Sequence, residues 1–229
     1  TPLLKVLHDN GINYIRIRIW NDPFNADGET YGGGGNDVST GVEIAKEAAQ
    51  YDMKVLLDFH YSDFWAEPAV QLVPKAWKKD VNNTEKMCSD VYDFTKESIQ
   101  KFKDAGANIG MVQVGNEITN GLLGIYSNRD KGESFNVIWG DKKKSTEVNK
   151  YLKAGIKAVR EYTPQALVAL HLETPNVWKY KTIMNTWKRD NVDYDVLGSS
   201  YYPFWSIAAK ANTPKTLKDV QTLAASYGK

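Results

Sequence analysis

Stretches of strand-like alternation are followed by stretches of helical spacing along most of the chain. In residues 14–20, isoleucines occupy every second position, and the positions between them hold Arg16, Arg18 and Trp20. Residues 54–60 repeat this pattern, with Asp58 and His60 opposite the apolar face. One face of each strand is therefore expected to pack on helices while the other carries polar groups.

The whole pattern predicts five strands and six helices. The strands fall at residues 14–20, 54–60, 111–115, 167–172 and 196–201, and the helices at residues 2–10, 40–52, 85–105, 146–162, 177–189 and 214–227. We interpret Lys142 to Lys144 as a solvated loop before the fourth helix. Strands that alternate with helices imply a parallel sheet with helical crossovers.

Two α/β architectures fit this order, an open doubly wound sheet and a closed (β/α)₈ TIM barrel. Central strands of an open sheet are buried on both faces and are almost wholly apolar. Three strands here carry charged or polar residues on one face, which favours the barrel and its polar lumen. By count, the chain corresponds to the first helix and the second to sixth strand-helix units. We expect residues 1–229 to form a single barrel domain that is truncated at both ends.

Composition narrows the possible functions. A net charge of +1 lacks the basic excess of proteins that bind nucleic acid or anionic membranes, and no apolar run approaches the roughly 20 residues of a membrane span. Cys88 is the single cysteine, and the three histidines lack paired spacing, so we expect no disulfide, no metal and no cofactor. The glycine run at residues 31–36 lacks both phosphate-loop spacings and predicts a flexible loop near a ligand.

The segment from Val112 to Ile118 contains the strongest candidate for catalysis. Its strand delivers Asn116 and Glu117 to the carboxyl end, where barrel enzymes keep their active sites. A carboxyl group in that position can act as a general acid if burial raises its pKa. The alternative is a helix-capping asparagine beside a solvated glutamate.

A second candidate segment, from Leu57 to Trp65, combines polar groups with aromatic rings. Asp58 and His60 are expected to face inward, followed by three aromatic residues, among them Trp65. Sugar rings stack on aromatic side chains and their hydroxyls need polar partners, so a carbohydrate cleft is one interpretation. Core packing is the other.

Two further groups of residues leave their roles open. Arg16 and Arg18 on the inward face could hold a catalytic carboxylate ionised or form an internal structural ion pair. The residues that follow the last strand would either spread their rings over the barrel mouth or pack in a buried loop: Tyr201, Tyr202 and Trp205.

Four motifs in register resemble glycoside hydrolase family 53, the endo-β-1,4-galactanases that act on arabinogalactan. They are Arg16-Ile-Arg-Ile-Trp-Asn-Asp-Pro23, Leu57-Asp-Phe-His-Tyr-Ser-Asp-Phe-Trp-Ala-Glu-Pro68, Gln113-Val-Gly-Asn-Glu117 and Ser199-Ser-Tyr-Tyr-Pro-Phe-Trp205. The resemblance implies a (β/α)₈ barrel and a retaining endo-glycosidase that is secreted or located at the cell surface, acts on galactan and needs no cofactor. We also expect a monomer.

The resemblance also implies roles for individual residues. Glu117 matches the acid/base, Asn116 the amide before it, and Arg18 the arginine near the nucleophile. Other matched positions are expected to line the substrate cleft: Trp20, Asp58, His60, Trp65, His171, Tyr201, Tyr202 and Trp205. The nucleophilic glutamate of the family belongs to a seventh strand, so we expect it beyond Lys229; Glu173, on the fifth strand, does not match it.

Two other functions remain as alternatives at this point. A non-catalytic carbohydrate-binding barrel, or an inactive fragment, would keep the aromatic residues and lack one carboxylate. A nucleotide-dependent enzyme of the open-sheet type would need a phosphate-binding motif, which the sequence does not contain.

Overall fold

A computed structural model describes residues 2–202 and 214–229 of the chain. Its main sheet has five parallel strands: β1 (Tyr14–Ile19), β2 (Lys54–Phe59), β3 (Ile109–Val114), β6 (Leu167–Leu172) and β7 (Val196–Ser199). They lie side by side in the order β1-β2-β3-β6-β7. Spatial order follows chain order without the reversal that defines a doubly wound sheet. The sheet is therefore an arc of a (β/α)₈ barrel, and the open-sheet alternative is wrong.

Helices cover the outer face of this arc. They are α1 (Leu3–Asp9), α2 (Val38–Ala49), α3 (Thr84–Asp104), α4 (Asn136–Trp139), α5 (Lys142–Tyr162), α6 (Val177–Arg189) and α7 (Pro214–Ser226). The two long helices α3 and α5 lie side by side. After α3 the chain turns at Gly106, whose φ of 80° lies in the left-handed region that glycine adopts without strain.

The predicted start of α5 is wrong. Lys142 to Lys144 form its first turn, not a loop, because the side chain of Asp141 accepts a hydrogen bond from the amide of Lys144 and caps the helix. Three lysines at a helix N-terminus oppose the helix dipole. The run of three charged residues suggested a solvated loop. The Asp141 cap and the buried face of α5 instead start the helix at Lys142.

The apolar core lies between the strands and the helices, as the alternation predicts. Val55, Leu57 and Phe59 of β2 are completely buried on that side, and Val112 and Val114 of β3 continue the layer. The opposite face of the arc carries the polar residues. A short hairpin of β4 (Gly121–Leu122) and β5 (Ile125–Tyr126), which the sequence pattern did not predict, follows the end of β3.

Candidate active site

A cavity of about 300 Å³ opens where the strands of the arc end. It is lined by most of the residues that the sequence singled out: Arg16, Arg18, Asp58, His60, Trp65, Asn116, Glu117, His171 and Tyr202. Carboxyl ends of neighbouring parallel strands meet at one edge, so residues far apart in the chain converge there. The structure thus brings together residues from β1, β2, β3 and β6 and from the segment after β7.

Glu117 follows β3 and has an unusual backbone. Its φ of 48° and ψ of 47° place it in the left-handed region, which a non-glycine residue adopts only at a cost. Tyr61, after β2, and Thr174, after β6, have φ values of 50° and 46°. Left-handed residues thus follow three of the strands, and of these Glu117 lines the cavity, as is common where a fold positions a functional side chain.

The carboxyl group of Glu117 has a pKa above its ordinary value. Burial is the main cause, and the charges of Glu173 and Glu67 act in the same direction. A hydrogen bond from the Ser200 hydroxyl to Oε1, and more weakly the charge of Arg16, oppose the rise in pKa. A carboxyl group that keeps its proton to a higher pH is suited to general acid catalysis.

Beneath Glu117, one arginine organises a polar network. The Arg16 guanidinium lies 2.8 Å from Oδ2 of Asp58 and donates to Oε1 of Gln113 at 3.1 Å and to Oδ1 of Asn116 at 2.8 Å. Gln113 also donates to Oδ1 of Asp58 at 2.6 Å. Of the two possibilities for Arg16, the structure shows the internal ion pair, and Asn116 is held as part of the same network.

Both histidines of the cavity are buried. His60 accepts a hydrogen bond from the Ala66 amide at Nδ1, 3.0 Å away, so its Nε2 donates to Asp58 at 3.2 Å. His171 has its pKa lowered to about 4, first by burial and then by the charge of Arg16. At neutral pH, His171 is therefore an uncharged hydrogen-bonding group.

Arg18 and Trp65 form a second surface of the cavity. The Arg18 guanidinium carbon lies 4.1 Å from the centre of the Trp65 ring. Trp65 is 41% exposed, so its ring can contact a ligand. Among residues 2–202 and 214–229, no carboxylate forms an ion pair with Arg18.

The structure corrects the expectation that Trp20 lines the cleft. Trp20 is completely buried and packs against Phe64, with ring centres 5.0 Å apart. A Cβ added to Gly33 would lie 2.7 Å from the Trp20 ring, so the backbone at Gly33 closely covers that ring. Trp20 also packs against Trp65, with the ring centres 5.6 Å apart.

The residues after β7 divide into three cases. Tyr202 lines the cavity and is half exposed, whereas Tyr201 is 38% exposed and is not among the lining residues. Trp205 lies outside the described residues. Strand β7 ends at Ser199, two residues earlier than predicted, and this places Ser200 against Glu117.

Sequence reasoning missed two residues of the site, Gln113 and Ser200. Gln113 shares the inward alternation of β3, and that pattern could have identified it. Ser200 carried no comparable signal, because its role depends on a contact with a residue 83 positions away.

In the part of the chain that the structure describes, no helix has the length and apolar character needed to cross a membrane.

The family model described as Glycosyl hydrolase family 53 matches residues 1–229. An endo-beta-1,4-galactanase of Bacillus subtilis (strain 168) is 43% identical over 99% of this chain and 48% of its own length. An arabinogalactan endo-beta-1,4-galactanase of Humicola insolens is 28% identical over 100% of this chain and 63% of its own length.

Two solved structures of related proteins superpose closely on this chain. An Ignisphaera aggregans GH53 catalytic domain superposes with a TM-score of 0.80 at 33% identity, over 97% of this chain and 56% of that chain. A structure from a study of two fungal beta-1,4-galactanases superposes with a TM-score of 0.79 at 27% identity, over 100% of this chain and 63% of that chain. The chain spans about half to three-fifths of the length of these proteins.

Proposed function

The chain belongs to glycosyl hydrolase family 53, and we propose that the protein hydrolyses internal β-1,4-galactosidic bonds of galactan with retention of configuration. In this proposal Glu117 is the acid/base. Residues 1–229 are part of one (β/α)₈ domain that acts as a monomer outside the cell. The relatives described as endo-beta-1,4-galactanases support the choice of substrate.

The observation that carries the proposal is the environment of Glu117. Its carboxyl group lies at the end of β3, in the cavity, with burial raising its pKa and Ser200 holding one oxygen. The other oxygen is left to protonate the glycosidic oxygen of a departing sugar. Trp65 and Arg18 provide a flat, partly apolar surface beside it, the type of surface on which a sugar ring stacks.

A retaining mechanism needs a second carboxylate about 5–5.5 Å from the first. Asp58 does not suit this role, because its side chain is completely buried and both oxygens are occupied by Arg16, His60 and Gln113. Glu173 forms an ion pair of 3.0 Å with Lys179. We therefore place the attacking carboxylate outside the described residues, where it would complete the partnership that Arg18 lacks.

The reaction then proceeds by double displacement. Glu117 gives its proton to the leaving oxygen while the second carboxylate attacks the anomeric carbon and forms a glycosyl ester. Glu117, now ionised, takes a proton from water, and the resulting hydroxide equivalent displaces the ester. The charge of the attacking carboxylate disappears when the ester forms, which lowers the pKa of Glu117 when it must act as a base.

In β-1,4-galactan the 4-oxygen that forms the glycosidic bond is axial, whereas in cellulose it is equatorial, so successive sugar rings are oriented differently in the two polymers. Hydrogen-bonding groups placed for the remaining hydroxyls of galactan stay unpaired when cellulose occupies the cleft, and unpaired buried polar groups are costly. We therefore expect hydrolysis of β-1,4-galactan and little hydrolysis of cellulose. Equal rates on the two polymers would contradict the proposed specificity.

The test is the Glu117→Gln variant of the full-length protein. Loss of the transferable proton should lower galactan hydrolysis by about 10² to 10⁴-fold. An aryl galactoside with a good leaving group needs no protonation, so formation of the glycosyl ester should be far less affected, and azide should restore turnover as a β-galactosyl azide. A full-length wild type that binds galactan without cleaving it would support a binding module instead.

A further inference from the structure

Ser200 and His171 connect the carboxyl group of Glu117 to the buried polar network. The Ser200 hydroxyl contacts Oε1 of Glu117 and lies 2.9 Å from Nε2 of His171. On the other side of the imidazole, Nδ1 lies 2.9 Å from Oδ1 of Asn116. His171 was expected to bind substrate, but both of its nitrogens have partners within the protein.

The surroundings of Nδ1 do not favour one neutral tautomer of His171. The Glu117 amide and Nε2 of Gln113 each lie 3.3 Å from Nδ1, and the amide can donate to Nδ1 only if that nitrogen is bare. Oδ1 of Asn116 is an acceptor, because it receives hydrogen bonds from Arg16 and from Nε2 of Gln113, and its 2.9 Å contact with Nδ1 is favourable only if Nδ1 carries a proton. Each tautomer therefore satisfies some neighbours of Nδ1 and conflicts with others.

We propose that His171 switches between its two neutral tautomers as Glu117 gains or loses its proton, with the Ser200 hydroxyl transmitting the change. When Glu117 is ionised, Ser200 donates to Oε1, Nε2–H of His171 donates to Ser200, and Nδ1 accepts from the Glu117 amide. When Glu117 carries its proton on Oε1, it donates to Ser200, Ser200 donates to Nε2, and Nδ1–H donates to Asn116.

The protons balance in this exchange. Glu117 releases one proton to the leaving group and takes up one proton from water. His171 loses a proton at one nitrogen and gains one at the other through solvent, so its charge does not change. Its burial, which lowers the imidazole pKa to about 4, is consistent with a ring that stays neutral throughout.

The switch gives Glu117 a hydrogen-bonding partner in both protonation states. The Ser200 hydroxyl can turn from Oε1 of Glu117 towards Nε2 of His171. It can donate to Nε2 only if that nitrogen carries no proton, so His171 must take the tautomer that is protonated on Nδ1. Under the proposed function, on which only this use of the switch rests, Glu117 must serve first as acid and then as base. Ser200 and His171 are thus positioning residues for the free enzyme, in which the proton can rest on Oε1; when the proton lies on the other oxygen for transfer to the glycosidic oxygen, Ser200 donates to Oε1 as it does in the ionised form.

Other charged and titratable groups face the same region from the surrounding elements. Arg16 on β1 acts on both Glu117 and His171, and Asp58 and His60 near β2 act on His171; the remaining groups that act on Glu117 are Glu67 and Glu173. On α6, the charge of Glu117 contributes to the raised pKa of Tyr180. None of these groups contacts Nε2 of His171 or the Ser200 hydroxyl, so the hydrogen-bond chain is the direct connection.

The test is NMR of the full-length protein labelled with ¹⁵N-histidine and ¹³C-glutamate. Imidazole ¹⁵N shifts distinguish the two neutral tautomers, and the side-chain ¹³C shift reports ionisation of Glu117. We expect the tautomer ratio of His171 to change with the same midpoint as Glu117. His60, whose tautomer is fixed by Ala66 and Asp58, provides the reference ¹⁵N shifts for a ring that carries its proton on Nε2.

Two variants sharpen the result. Glu117→Gln should make the tautomer ratio of His171 independent of pH. In Ser200→Ala, Glu117 should still ionise, but the tautomer ratio of His171 should no longer change at the pH of that ionisation. A single His171 tautomer across the Glu117 titration, or a His171 cation in that pH range, would overturn the proposal. If a variant fails to fold, the wild-type titration alone decides. No substrate is involved, so the outcome is independent of whether the protein cleaves galactan.

Discussion

Asp58 lies opposite Arg18 in the backbone register of β1 and β2, yet it forms its ion pair with Arg16 at 2.8 Å. The Arg18 guanidinium instead turns to the Trp65 ring. Two arginines on one face of one strand therefore have different roles. Arg16 is bound into the network of the barrel interior, and Arg18 is left at the cavity wall.

Replacement of each arginine by methionine should separate these roles. Arg16→Met leaves the completely buried Asp58 carboxylate without its cation. Removing one partner of a fully buried pair costs about 3–5 kcal/mol; because the Arg16 side chain is 43% exposed, we expect a loss of about 2 kcal/mol. Arg18→Met loses a contact with Trp65 worth about 0.5–1 kcal/mol. Urea unfolding of both variants measures the difference.

Activity should show the opposite order. Arg18→Met should reduce galactan hydrolysis sharply while the protein stays folded, because the proposed attacking carboxylate loses its cation. An Arg18→Met variant with normal kcat and KM would show that Arg18 has no role in the reaction. Equal losses of stability in the two variants would contradict the structural role given to Arg16.

The division of the two arginines also shows how far the sequence could lead. Alternation in β1 and β2 placed Arg16, Arg18 and Asp58 on one face, and the barrel followed from such polar faces. It could not show which arginine takes the carboxylate, because that depends on the diagonal reach of a long side chain between strands. Nor could it show the burial of Trp20, which lies beyond the end of β1 under a loop that only Gly33 can bring so close.

The raised pKa of Glu117 predicts a pH-dependent effect on stability. Between the ordinary pKa of 4.5 and the raised value, the folded protein binds more protons at this site than the unfolded chain. This contribution to stability therefore falls as the pH rises through that window. Glu117→Gln carries no such proton, so its stability relative to wild type should increase as the pH rises above the ordinary pKa of 4.5 and should level off once the pH exceeds the raised pKa of Glu117.

Chemical unfolding at several pH values measures this difference, and effects of other groups cancel in it. Glu43→Gln, on the exposed side of α2, is the matched control for the loss of one carboxyl group from the surface. If the Glu117→Gln difference were instead largest at low pH, Glu117 would have a lowered pKa in the folded protein, and it would not suit the role of a general acid.

The left-handed backbone of Glu117 predicts that glycine is better tolerated there than alanine. Both substitutions remove the carboxyl group and its contacts, but alanine keeps the steric cost of a φ of 48°. We expect Glu117→Gly to be about 1 kcal/mol more stable than Glu117→Ala. At Glu43, inside α2, the order should reverse by about 1 kcal/mol because glycine weakens a helix. Thermal unfolding of the four variants provides both comparisons.

Trp20 and Trp65 differ in exposure, 0% against 41%, although their rings are in contact. Trp20→Ala should leave a large cavity and cost about 3–5 kcal/mol of stability. Trp65→Ala should cost much less, because part of its ring already faces water. Its effect should fall on ligand binding, since a sugar ring would lose its stacking partner.

Calorimetric titration with galacto-oligosaccharides, together with urea unfolding, measures both effects. Aromatic stacking is worth about 0.5–1.5 kcal/mol, so Trp65→Ala should weaken binding by roughly 2- to 12-fold. Trp65→Phe keeps a flat ring and should retain part of the affinity. If Trp65→Ala bound as tightly as wild type but unfolded as easily as Trp20→Ala, then Trp65 would belong to the core and the sugar surface would have to lie elsewhere in the cavity.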